Sequence, residues 1–136
     1  MHLIDFKILN TAIERLLNKE LAEFGITYTQ ATVIGYLKRN IDKEICQKDI
    51  EYNLGLTTPT VSSILSRMKE KQMIITQSSK ADRRYKSVSL TEKALEIAED
   101  ISVRIDKITE TLFEGIPIEE QKALSETMRK IIKNIN

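Results

Sequence analysis

A chain of 136 residues, 41% apolar and 30% charged, with four glycines and two prolines, has the composition of a helix-rich globular protein of one domain, neither disordered nor fibrous. No apolar run approaches the ~18 to 20 residues that cross a bilayer, and the start around Ile4-Asp5-Phe6 lacks the basic and apolar regions of a signal peptide, so a soluble cytoplasmic protein with no membrane partner is expected. A single histidine, His2, and a single cysteine, Cys46, rule out an internal disulfide and a histidine–cysteine metal cluster.

No nucleophile and base stand at recognisable spacing and Gly55 belongs to a turn, so neither an enzyme nor a cofactor is expected. Cys46 reads as a small core or cap residue, with redox sensing as the alternative. The net charge is only +1, but it is unevenly distributed. Residues 57–86 carry seven basic and two acidic groups, against seven and eight in residues 1–56 and seven and ten in residues 87–136. Positive charge gathered in one stretch suits a surface that faces phosphates; a solvated basic loop gives the same count.

In chain order, Ile8, Leu9, Ala12, Ile13, Leu16, Leu17 and Leu21 recur at the steps of an amphipathic helix, which ends near Phe24-Gly25. Thr27 and Gln30 form a capping box opening a second helix, with Ala31, Ile34 and Leu37 on its buried face and its end near Asn40. Ile41 to Ile45 suits a loop or a minor strand. From Gln47 two short helices follow almost without a break: Ile50 and Leu54 edge the first, Gly55 turns the chain and Leu56 plugs the corner. Thr58 as cap and Pro59 at the first helical position open the second, which starts at Thr58 or Pro59. Along it Val61, Ile64, Leu65 and Met68 face the core, so Pro59, Ser62, Ser63, Ser66 and Arg67 face outward.

Ile74 to Thr76 and Ser87 to Leu90 read as two strands joined by the basic tip Lys80-Ala81-Asp82-Arg83-Arg84-Tyr85-Lys86. Thr91 caps a long helix in which Ala94, Ala98, Ile101, Ile105, Ile108 and Leu112 recur at three- and four-residue steps. Gly115 and Pro117 break it, and a last helix carries Leu124, Met128, Ile131, Ile132 and Ile135. The fold class is therefore mostly α with a small β-hairpin wing: a winged helix-turn-helix lobe over residues 28–90, flanked by helical segments 1–24 and 91–136.

A helix-turn-helix lays its second helix in the major groove, where short outer side chains permit close approach. The candidate DNA-contacting residues on that helix are Thr57, Thr58, Pro59, Thr60, Ser62, Ser63, Ser66 and Arg67. The last could take a guanine or a phosphate. On the wing they are Asp82, Arg83, Arg84 and Lys86, with the arginines placed to enter a neighbouring minor groove and Asp82 able to orient one guanidinium. The terminal apolar stripes either pack within one chain or interleave with a second copy. A twofold pair would read a pseudo-palindromic operator with half-sites ~34 to 36 Å apart.

Gln47 to Leu65, followed by Asp82, Arg84, Val88, Leu90 and Thr91, resembles the MarR family of winged-helix regulators, whose wing signature is D-x-R-x-x-x-V-x-L-T. The resemblance covers essentially the whole chain and extends to members that control multidrug efflux. It implies an obligate homodimer, repression by occupying double-stranded promoter DNA, and release by a small aromatic or lipophilic effector. It also implies that Arg84 is the minor-groove arginine and Asp82 its orienting partner. Glu51 stands where a small alanine is usual, Gln72 and Ala94 where glycines are, and Cys46 where threonine often caps. No effector residue is assigned. The alternative reading is a winged-helix module that binds another protein rather than DNA.

Overall fold

The computed structural model describes residues 1–136, which form six helices and one two-stranded sheet: α1 (Leu3–Leu21), a 3-10 turn (Ala22–Phe24), α2 (Tyr28–Arg39), α3 (Gln47–Leu54), α4 (Thr58–Glu70), β1 (Ile74–Ser78), β2 (Lys86–Leu90), α5 (Glu92–Leu112) and α6 (Ile118–Ile135). Two compact units divide the chain, Met1–Arg104 and Ile105–Asn136.

In the first unit, α1 gives way to the 3-10 turn and stops at Gly25, whose φ of 70° is the left-handed conformation that glycine adopts without penalty. The capping box then opens α2: Thr27 Oγ1 accepts from the Gln30 amide at 3.2 Å, and Gln30 Oε1 accepts from the Thr27 amide at 3.1 Å. The expected buried face of α2 holds, and Val33 joins Ala31, Ile34 and Leu37 in it. Lys71, at the end of α4, donates to the Gly25 carbonyl at 2.7 Å and to Gln30 Oε1 at 2.9 Å, tying the end of the second short helix to the α1–α2 corner.

Leu21, Val33, Ile34, Ile50, Val61 and Met68 are the largest fully enclosed side chains, drawn from α1 through α4. Burying each is worth about 1.5 to 3 kcal/mol relative to exposure. Val61, Leu65 and Met68 of α4 are buried as the spacing requires, while Ile64 is only half-buried.

α4 opens at Thr58, the earlier of the two expected starts, so the cap moves from Thr58 to Thr57. Thr57, extended at φ −78° and ψ 158°, is the residue before the helix, Thr58 is the first helical position and Pro59 follows. The Thr58 hydroxyl is engaged elsewhere, donating to the Glu51 carboxylate of α3, and Thr57 Oγ1 bonds Thr60 Oγ1 at 2.9 Å. Glu51, where a small alanine is usual, thus links the two helices.

β1 and β2 pair antiparallel, with Ile74 opposite Leu90 and Ser78 opposite Lys86. The segment before α3 contributes a single bridge, Cys46 to Ser87, and the Val88 amide donates to the Ile45 carbonyl at 2.7 Å. Cys46 serves as a cap: its amide and its Sγ meet Asp49 Oδ2 at 2.9 and 3.2 Å. Gln72, between α4 and β1, has φ 60°, a left-handed conformation in a residue that carries a Cβ, which explains why glycine is the expected occupant.

Thr91 accepts from the Ala94 amide at 3.2 Å and donates to the Gln72 carbonyl at 2.7 Å, so α5 starts where β2 ends. Ala94, Ala98 and Ile101 are buried. Arg104 donates to the Glu20 carbonyl at 3.0 Å, pairs with Glu23 and lies 5.5 Å over the Phe24 ring. In the second unit, Gly115 turns the chain at φ 78° and Pro117 precedes α6. Along α6, Leu124, Met128, Ile131, Ile132 and Ile135 are all exposed. No helix is long and apolar enough to cross a membrane.

Candidate nucleic-acid interface

The core-facing positions of α4 fix the direction of the rest: with Val61, Leu65 and Met68 buried, Thr60, Ser62, Ser63, Ser66 and Arg67 are exposed, as are Thr57, Thr58 and Pro59 at the helix start. Small hydroxyl residues on an outward helix face leave a neighbouring backbone free to come close, and each hydroxyl can both donate and accept. Ser62 is already held, since Gln47 Nε2 donates to its Oγ at 2.8 Å. Gln47 is not among the DNA-contacting residues expected from the sequence, because a polar residue in the first turn of a short helix carries no periodic signal.

The wing presents a second cationic group. Arg83, Arg84 and Lys86 are exposed, and Asp82 is half-buried. Arg84 turns back onto Asp82: its Nε lies 3.1 and 3.2 Å from the two carboxylate oxygens and its Nη2 lies 2.7 Å from Oδ2, while its amide donates to Oδ1 at 3.0 Å. The pair is the contact that the D-x-R wing signature implies for these two residues. It holds the Asp82 carboxyl below its ordinary value, chiefly by the side-chain hydrogen bond, and raises that of the Arg84 guanidinium by the same contact.

Tyr85 stands between two cations. Its ring lies 5.9 Å from the Arg84 guanidinium and 5.5 Å from Lys48 Nζ on α3. The neighbouring residues Gln47 and Lys48 therefore reach the α4 serine face and the wing respectively, which brings Ser62 and Arg84 around one helix start. Arg83 and Lys86 are left without an ion pair.

A groove of about 420 Å³ borders the same helix, between α1, the start of α2 and α4. Thr60, Ser63 and Arg67 line it from α4, and Asn18 and Tyr28 from the other side. Asn18 Oδ1 accepts from the Tyr28 amide at 2.7 Å, so that wall is fixed. A separate polar cavity between α2 and α3 includes Tyr36, Arg39 and Asn53. Burial pushes the Tyr36 phenol upward, with Asp49 nearby adding to the effect, and its oxygen accepts from Asn53 Nδ2 at 3.0 Å.

Comparison with known proteins gives a consistent picture. Residues 24–84 match the family model described as the MarR family. The chain is similar to the transcription regulator MarR from Oenococcus oeni PSU-1, at 28% identity over 94% of this chain and 96% of that one, with a TM-score of 0.79. It shares its fold with S. aureus MepR in complex with DNA, at 24% identity over 96% of this chain and 94% of that one, with a TM-score of 0.87. It also shares its fold with MepR described as a transcription regulator of the Staphylococcus aureus multidrug efflux pump MepA, at 24% identity over 100% of this chain and 99% of that one, with a TM-score of 0.68.

Proposed function

We propose that the chain, whose residues 24–84 match the family model described as the MarR family, is a DNA-binding transcription regulator of that family. It acts as a homodimeric repressor that leaves a pseudo-palindromic operator when a small lipophilic or aromatic effector binds. The carrying observation is the linkage of two contact surfaces: Gln47 holds Ser62 on α4 while the adjacent Lys48 meets Tyr85 beside the Asp82–Arg84 pair. An outward face of small hydroxyls together with an oriented arginine suits a major groove and its neighbouring minor groove.

In this reading residues 28–90 are the DNA-binding lobe, and residues 1–24 and 91–136 form the dimerisation region. The support is uncovered apolar surface: Leu3, Ile4, Ile8 and Leu9 of α1 are exposed, and so is the apolar row of α6. Surface of that kind in two helices calls for a second copy, and twofold symmetry then presents two recognition helices to successive turns of a duplex.

The groove beside α4 supports the effector part of the reading. Thr60, Ser63 and Arg67 line it and also belong to the outward face of the same helix, so an occupant there competes with DNA for these side chains.

A mobility-shift assay on duplexes from around the gene, run across a salt series, tests the reading. Affinity falls steeply as salt rises, because bound phosphates release counterions. A protein that retains no duplex at low salt but captures a protein partner stoichiometrically would instead be the protein-binding module.

A further inference from the structure

Ser79 is the one fully buried residue of the wing tip, at 6% exposure. Its hydroxyl is fully used: it donates to the Glu44 carboxylate and accepts from the amides of Ala81 and Asp82, both at 3.2 Å. The Ser79 amide donates in turn to the Tyr85 carbonyl at 2.9 Å, closing the loop across its base.

We propose that Glu44, acting through Ser79, is a positioning residue for the wing arginine; this rests on the regulator reading above. The path is continuous. Glu44 fixes the direction of the Ser79 hydroxyl, that oxygen fixes the Asp82 backbone, and the Asp82 carboxylate fixes the Arg84 guanidinium. Glu44 is itself well anchored, because Ile45 and Cys46 lie against β2 through the bond to the Val88 amide and the bridge to Ser87. Without the carboxylate the hydroxyl is free to rotate, and the Asp82 amide loses an acceptor of fixed direction.

A carboxylate beside a phosphate-facing loop opposes DNA binding by its charge, so replacing it changes two things at once. Comparing Glu44→Ala with Glu44→Gln separates them: both remove the charge, and only glutamine keeps an oxygen that can accept from Ser79. On a duplex retained by the unsubstituted protein, at one salt concentration, E44Q binds about fivefold more tightly than E44A, the size of one hydrogen bond. S79A weakens binding as E44A does after the charge change is allowed for, and the double variant E44A/S79A binds no more weakly than S79A. In the R84A background the gap between E44Q and E44A closes to within about twofold, because the positioned group is gone.

Equal affinities for E44A and E44Q with Arg84 present would overturn the proposal. So would a fivefold gap that persists in R84A, since the latch would then act on the fold at large and not on the arginine. Failure of the unsubstituted protein to hold any duplex is a different result and removes the regulator reading itself.

Discussion

Glu51 and Thr58 meet across the turn of the helix-turn-helix, the threonine hydroxyl donating to the carboxylate one helix earlier. The contact is partly solvated, so its worth is at the low end for a hydrogen bond, about 0.5 kcal/mol. Glu51→Ala and Thr58→Val should each lower stability, and the double variant should lose less than the sum of the two. Urea unfolding of all four proteins measures the coupling. Additive losses would mean that the two side chains do not work as a pair.

Gln72 offers a gain. Its left-handed φ of 60° costs a residue with a Cβ about 1 to 2 kcal/mol, while glycine in the unfolded chain costs about 0.4 to 1 kcal/mol in entropy. Gln72→Gly should therefore raise stability by about 0.5 to 1 kcal/mol, seen as a higher urea midpoint at unchanged slope.

The Asp82–Arg84 pair is present only while the carboxylate is ionised. Because Arg84 lowers the Asp82 pKa in the folded protein, the contact contributes fully above the ordinary aspartate value and is lost only as pH falls through the depressed one. Carboxyl-carbon NMR should find the Asp82 midpoint below that of an ordinary aspartate, and Arg84→Ala should return it toward the ordinary value. The same substitution should weaken operator binding about tenfold.

Lys86 has no acidic partner and its side chain is exposed at the start of β2. If it meets a phosphate, Lys86→Ala should weaken binding to every duplex alike and reduce the slope of affinity against salt by about one. A loss confined to one sequence would instead make it a base reader.

Local signals made much of this fold legible. The Thr27–Gln30 box, Gly25, the α4 apolar spacing and the wing hairpin each announce themselves within a few residues, because capping and periodicity are short-range effects. The cap of α4 fell one residue off: two adjacent threonines precede Pro59, and what separates them is Glu51, seven residues away in another helix. The wing tip shows the same boundary more clearly. Asp82 and Arg84 could be paired through the D-x-R wing signature, whereas Glu44 lies 35 residues before Ser79 and nothing in either neighbourhood marks the contact. Lys48 and Tyr85 were hidden for the same reason, and Gln72 was visible only as a departure from an expected glycine.

Hydroxyl-radical footprinting of the protein on its retained duplex tests the central claim most directly. A homodimer of winged lobes protects two stretches whose centres lie about one helical turn apart, ~10 base pairs, each flanked by minor-groove protection that disappears in R84A while the central protection remains. A single unrepeated stretch, or a footprint that R84A leaves intact, would contradict it.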